Sequence, residues 1–414
     1  MSAVRIALIT HHYEPENNAP QRRWSALVPR FIAAGHDVDV FAPPPHYPSG
    51  RAEQLSPADH PSTSSVGRHG ETIHRVRFRE HGPDLRSRSV DQALAAAHSA
   101  WRAIRLLHRR SRRPDVVIST VPGLPSIAAG WLVAFMLRGR HVVEMRDAWP
   151  DLIEASGMLR AASWRRRTAT SLASRAVAIS QRRAASVVTT TQAFAEVLKS
   201  RGIARVDVIR NGASLEHLQP LPPPRARDGE LRVVYAGTVG RSQGLETAIQ
   251  ATVLAAKIGV PVRLRIVGSG AAEAELRELA SSLSAPVEFV ERVAQAEVFA
   301  HYRWADTVLV SLQDWAPFLW TIPSKVYEAI GLQRHITGVV RGEAATLITS
   351  LDAGDVVASG DAIGLARLWN ELALDRERLV ISSRAREWAL EHVNYDGLAD
   401  RYLRLLVDLV EARA

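Results

Sequence analysis

Twice along this chain, short and nearly continuous apolar runs alternate with stretches of helical period. In the first half the runs are "VRIALIT", "DVDVFAP", "TIHRVRF", "DVVISTV", "HVVEMRD", "SVVTTT" and "VDVIRNG", with "QRRWSALVPRFIAAG" and "QALAAAHSAWRAIRLLHRR" among the helical stretches. In the second half "LRVVYAG", "VRLRIVGSG", "VEFVERV", "DTVLVSL", "HITGVV" and "DVVASG" alternate with helical segments in the same rhythm. Strands separated by helices of this length build parallel, doubly wound sheets. Apolarity that is continuous along a strand marks burial on both faces. The expected fold class is α/β, with two Rossmann-like doubly wound domains facing a cleft.

The segment "LQPLPPPRARDGE" (218–230) separates the halves, and its prolines favour a stiff connector that extends neither sheet. This gives an N-terminal domain over 1–215, a C-terminal domain over 216–390 and a closing segment, 391–414. The amphipathic "YLRLLVDLVEARA" in that segment can pack back across either domain. Ligands of open α/β sheets bind at the carboxyl ends of strands, so the loops there are where chemistry is to be sought.

Composition removes several function classes. The chain lacks cysteine, which excludes disulfides, thiolate metal sites and cysteine nucleophiles. Its start reads as a strand, not a signal peptide. The longest apolar run, 127–137, is about half of what a bilayer crossing needs. A cytoplasmic location is expected. The formal net charge of +9 is concentrated in two places. One is the acid-free segment 155–195, and the other is "WRAIRLLHRRSRR" (101–113). Such surfaces suit anionic partners. No zinc-ligand spacing, aromatic-basic RNA signature or helix-turn-helix is present, so nucleic acid is not the expected partner. An anionic membrane surface is, with "MLRAASWRRRTATSL" (158–172) lying in the interface and the protein peripheral.

Three motifs carry phosphate or carboxylate chemistry. "YAGTVGRSQGLE" (235–246) reads as a strand, a loop bearing Gly237, Thr238 and Arg241, and a helix start. Glycines admit a ligand close to the backbone, and a helix N-terminus favours phosphate. "TIPSKVYEAIGL" (321–332) starts a helix at Pro323, with Thr321 or Ser324 as caps. Lys325 and Glu328 then share one face at its open end. That pair suits a diphosphate on a ribose, and equally an exposed salt bridge. "DVD" (37–39) places both carboxylates at the beginning of a strand, the wrong end for a metal site, so no metal is expected.

The residues then carry a family resemblance. "VRIALITHHYEPENNAPQRRWSALVPRFIAAGHDVDVFAPPPHYPSG" resembles the opening of retaining glycosyltransferases of family 4, and "VIRNGASLEHLQP" (208–220) resembles their interdomain signature. "VEMRDAWPD" (143–151), "YAGTVGRSQGLE" and "IPSKVYEAIG" resemble the branch that builds bacterial polysaccharides on lipid carriers. The likeness covers most of the chain. It implies the GT-B fold, a UDP-sugar or related nucleotide-sugar donor held by the C-terminal domain, a lipid-linked or small glycan acceptor held by the other, and no cofactor. Many relatives place a donor-sugar glutamate eight residues before Glu328, where this chain has Trp320.

On this reading Gly237, Thr238, Arg241, Ser324 and Lys325 face the diphosphate, Glu328 the ribose, and Arg292 and Val293 the nucleobase. Asp147, after a strand, orients or deprotonates an acceptor hydroxyl, or else caps the following turn. His11, Asn17 and Asn18 lie on the acceptor side. Two rival classes remain: a GT-B-shaped nucleotide-sugar 2-epimerase, and a non-catalytic nucleotide-sugar-binding subunit of a transferase complex.

Overall fold

A computed structural model describes residues 3–16, 18–52, 55–82, 84–149, 151–155, 164–215, 218–224 and 230–412, with the side chains of 164–173 outside that description. The chain divides into two compact units, one of residues 1–211 with 395–414 and one of 212–394.

The first unit runs β1 (Arg5–Ile9), α1 (Ala19–Ala33), β2 (Asp37–Ala42), β3 (Ser64–Val66), β4 (Thr72–Arg75), α2 (Leu85–Leu107), β5 (Val116–Thr120), α3 (Pro125–Leu137), β6 (Arg140–Met145), α4 (Asp151–Ala155), α5 (Trp164–Arg183), β7 (Ser186–Thr189), α6 (Gln192–Ser200) and β8 (Val206–Val208). Its sheet has the order β3-β4-β2-β1-β5-β6-β7-β8, and all pairs are parallel except β3 with β4. β5 ("VVIST") is buried along its whole length, including the hydroxyls of Ser119 and Thr120.

The second unit runs β9 (Leu231–Ala236), α7 (Leu245–Lys257), β10 (Val262–Val267), α8 (Glu273–Ser282), β11 (Val287–Val290), α9 (Gln295–Trp304), β12 (Thr307–Ser311), α10 (Ser324–Gly331), β13 (His335–Val339), α11 (Gly342–Ser350), β14 (Gly354–Val357), α12 (Ala362–Leu374) and α13 (Ser383–His392). Its parallel sheet has the order β11-β10-β9-β12-β13-β14. The order reverses between β9 and β12, as it does between β1 and β5 in the first unit. Those two reversals are where doubly wound sheets open a crevice for ligands.

The closing helix α14 (Tyr395–Glu411) belongs to the first unit. Its apolar stripe packs on α1, with the Tyr402 ring 6.1 Å from Trp24 and 5.7 Å from Phe31. Burying aromatic faces of this size ties the helix down by several kcal/mol, at roughly 25 cal/mol per Å² of apolar surface.

The stretch 43–70, which reads as a long loop, is partly ordered by one buried cation. Arg75 pairs with Asp59 and donates to the Pro43 and Glu14 carbonyls. β3 adds to the sheet edge beside it.

Candidate active site

In the second unit the reversal point is lined by the loop after β9 and by the start of α10. Gly237 leaves β9 with a φ of +147°, and a Cβ on the neighbouring Gly268 would lie 2.0 Å from the Gly237 carbonyl oxygen. Two backbones meet here without side chains between them, which only glycine permits. The chain then passes Gly244, at a φ of +59°, into α7.

Helix α10 buries Val326, Tyr327, Ala329 and Ile330 against the core, which turns Lys325 and Glu328 to the opposite face. Pro323 is its N-cap residue, and no side chain caps it. The expected caps do not form, since Thr321 Oγ1 donates to the Pro317 carbonyl instead. Val326 N donates to the Pro323 carbonyl at 3.0 Å, so the open backbone donors of this first turn are the N–H groups of Ser324 and Lys325. Lys325 Nζ lies 3.6 Å from the centroid of the Tyr235 ring and 3.0 Å from where a Cβ on Gly237 would sit. Sequence reading had set the glycine loop and Lys325 to the same diphosphate, and the structure brings the two together. Tyr235 is held in place by donating its hydroxyl to the Thr238 carbonyl at 2.6 Å. Burial pushes the Lys325 amine down to about 7 against the pull of Glu328. Glu328 Oε2 accepts from the Tyr302 hydroxyl at 3.1 Å, leaving its other oxygen for a diol. Lys325 and Glu328 thus do not form the plain surface salt bridge that their spacing also allowed.

The other donor-side residues are placed as follows. Ser324 is the first residue of α10, and Gly237 and Thr238 are exposed in the β9 loop. The Arg241 guanidinium is solvent-facing and pairs with Glu275 at 2.7 Å, a partner on α8 that sequence reading did not foresee. Arg292, exposed, and Val293, half-buried against the core, follow β11. Trp320 ends a short 3₁₀ turn, Ala316–Trp320.

In the first unit Asp147 follows β6. Burial raises its carboxyl pKa and Arg146 opposes the shift. Among the described residues nothing hydrogen-bonds to the carboxylate, while its carbonyl accepts from Trp149 N at 2.8 Å. The group is thus poised to take a proton, and its backbone also closes the turn. Asn18 proves to be the N-cap of α1, accepting from Gln21 N at 2.9 Å. Asn17 lies outside the described residues. His11 lines a shallow, open hollow with Thr10, Gln92 and Gly123.

Sequence reading missed Glu16 and His46. Glu16 is buried and accepts from His12 Nδ1, Asn18 Nδ2, His46 N and Tyr47 N at 2.7–3.1 Å. Burial would raise its pKa, but His12 and His46 bring it down to about 2. This ionised carboxylate pins the loops after β1 and β2 together. The "DVD" acids have structural places: Asp37 opens β2 and Asp39 sits 2.9 Å from His74 Nε2.

A model of the glycosyl transferase 4-like domain matches residues 18–212, and one of glycosyl transferases group 1 matches 230–375. No curated protein sequence matches the chain. Solved structures match over its whole length. Sucrose-phosphate synthase from Thermosynechococcus elongatus superposes with a TM-score of 0.75 at 18% identity, covering 99% of this chain and 100% of that one. Anabaena HepE in complex with UDP-glucose gives 0.67 at 15%, covering 98% and 100%. The lipopolysaccharide outer core galactosyltransferase WaaB gives 0.64 at 12%, covering 99% and 100%. At these identities the likeness establishes the fold, which is GT-B.

Proposed function

We propose that this chain, a family 4-like glycosyltransferase of the GT-B type, moves a hexosyl or N-acetylhexosaminyl group from a UDP-sugar to a hydroxyl of a lipid-linked glycan, with retention and without a metal at the donor. The observation that carries the reading is the Lys325–Gly237 juxtaposition at the uncapped start of α10. Similar solved proteins are described as holding UDP or UDP-glucose, which favours uridine.

Cleavage of the sugar–phosphate bond leaves charge on a nucleoside diphosphate. Lys325 and the first-turn N–H groups of α10 stand where that charge grows, and stabilisation there lowers the barrier. Glu328 receives the ribose hydroxyls, its position fixed by Tyr302. The Asp147 carboxylate, lifted by burial, takes the acceptor proton or orients its hydroxyl.

Lipid-linked acceptors fit the first unit's surface. Leu132, Phe135 and Met136 of α3 are exposed, Phe135 at 68%, and so is Trp101 of α2. α3 packs on α2, whose end leads into the arginines 109–113. Apolar side chains beside a basic cluster suit an anionic leaflet, which favours work at the cytoplasmic membrane face. Of the segment 158–172 expected in that interface, residues 158–163 and the side chains of 164–172 lie outside the described residues.

The test incubates the chain with UDP-sugars and a lipid-carrier glycan fraction. UDP release only when acceptor is present, with the donor's anomeric configuration kept in the product, supports the reading. Conversion of donor without acceptor would instead identify an epimerase, and binding without turnover a non-catalytic subunit.

A further inference from the structure

The first unit contains a cluster that the transfer reaction does not use. We propose that His46, His81 and Asp91 hold a divalent first-row transition-metal ion, with Zn²⁺ as its representative. His46 lies in the loop after β2, His81 between β4 and α2, and Asp91 in the second turn of α2. One ligand atom of each lies within 4.8 Å of the others.

The imidazoles are oriented as metal ligands are. His46 Nδ1 is 2.9 Å from the Pro44 carbonyl and 3.2 Å from Glu16 Oε1, and His81 Nδ1 is 2.9 Å from the Gly82 carbonyl. These oxygens only accept, so each Nδ1 carries the proton and each Nε2 presents a lone pair. His46 Nε2 is buried and has no hydrogen-bond partner. Asp91 is fully buried; its Oδ1 accepts from Arg79 N at 2.9 Å, and its Oδ2 has the His11 imidazole as its neighbour, with Nε2 at 3.1 Å. A buried imidazole nitrogen left without a partner is costly, and a cation shared with the Asp91 carboxylate satisfies it.

The remaining groups fit a cation and not an anion. His81 Nε2 and His11 Nε2 lie 4.0 Å and 3.1 Å from Asp91 Oδ2. The Phe78 ring, 4.5 Å from that of His46, shields one side. Two imidazole nitrogens and one carboxylate select Zn²⁺, Fe²⁺ or Co²⁺ over Mg²⁺ and Ca²⁺, which prefer all-oxygen shells. The three positions are separated by 35 and 10 residues in sequence, so no motif announces them. An ion here would clamp the ends of β2, β4 and α2 beside the hollow at His11. It shares no residue with the donor groups.

The full chain, stripped with chelator and freed of any affinity tag, is titrated with Zn²⁺ by calorimetry and with Co²⁺ by its visible absorption. One ion per chain is expected, with no response to Mg²⁺. His81→Ala and Asp91→Asn should each weaken Zn²⁺ binding by about 100-fold or more, since even outer-sphere changes cost 10–100-fold. The exposed control His60→Ala should bind like the parent, and circular dichroism confirms that each variant is folded. No stoichiometric Zn²⁺ binding by the parent, or equal affinity in the parent and both folded variants, would overturn the proposal.

Discussion

Replacing Lys325 by methionine separates what this amine does for a ligand from what it does to the fold. Burial lowers it from 10.5 to about 7. At about 1.36 kcal/mol per pH unit, the charged form is disfavoured by about 5 kcal/mol. The group is only half-buried and the Tyr235 ring lies beneath it. Solvent screening and the cation–π contact reduce the net cost to about 1–3 kcal/mol. The sign follows from proton uptake. Between pH 7 and 10.5 the unfolded chain binds the proton and the folded chain does not, so ligand-free stability rises with pH across that window and is lowest below it. Methionine removes this penalty and flattens the dependence. Differential scanning fluorimetry should show the ligand-free variant melting higher by about 2–4 °C per kcal/mol while losing the stabilisation by UDP. In the parent, UDP affinity should be highest below about pH 7 and fall above it by up to about tenfold per pH unit, as the bound diphosphate requires the proton. A variant that melts lower than the parent, or that keeps the full UDP shift, would refute this assignment of Lys325.

Glu328→Ala removes the diol acceptor beside Tyr302 and should raise the UDP dissociation constant about tenfold or more, given about 1.5–3 kcal/mol for a charge-assisted contact, as measured by calorimetry. Asp147→Asn should bind donor normally yet lose about 10²–10⁴ in transfer rate, read from acceptor-dependent UDP release; near-normal turnover would reduce Asp147 to its turn-closing backbone role. UDP affinity should be the same with and without EDTA, because the donor groups are a lysine, a carboxylate and backbone N–H groups; a chelator-sensitive UDP affinity would contradict this. Phe135→Ser with Met136→Ser should weaken co-sedimentation with anionic vesicles at low salt, by about 0.8 kcal/mol per buried methylene removed, and unchanged sedimentation would move the contact away from α3.

The fold was legible because each strand announces itself locally. In "VVIST" three β-branched apolar residues are followed by two small hydroxyl residues, and β5 is buried throughout. The shared face of Lys325 and Glu328 was legible for the same reason: three residues apart on a helix start, they lie side by side whatever surrounds them. What surrounds them was not legible. Tyr235 beneath Lys325 and Tyr302 beside Glu328 come from other elements, and only the sheet order brings them in. Arg241 suited phosphate by position, but a glutamate on α8 pairs with it in solvent. Asn18 looked like a substrate-loop residue because its loop matches one in related proteins; locally it is a helix cap. Glu16, His46, His81 and Asp91 sit on three loops and a helix, with no periodicity to connect them. "HHYEPE" was read for its histidines, whereas its buried glutamate organises the loops.

The central claim is that the start of α10 and the β9 loop form a nucleoside-diphosphate clamp. Calorimetric titration of UDP into the parent, Lys325→Met and Glu328→Ala tests it most directly. One UDP per chain in the parent, with binding lost in the first variant and about tenfold or more weaker in the second, is the predicted result. No UDP binding by the parent, or equal binding by all three folded proteins, would contradict it.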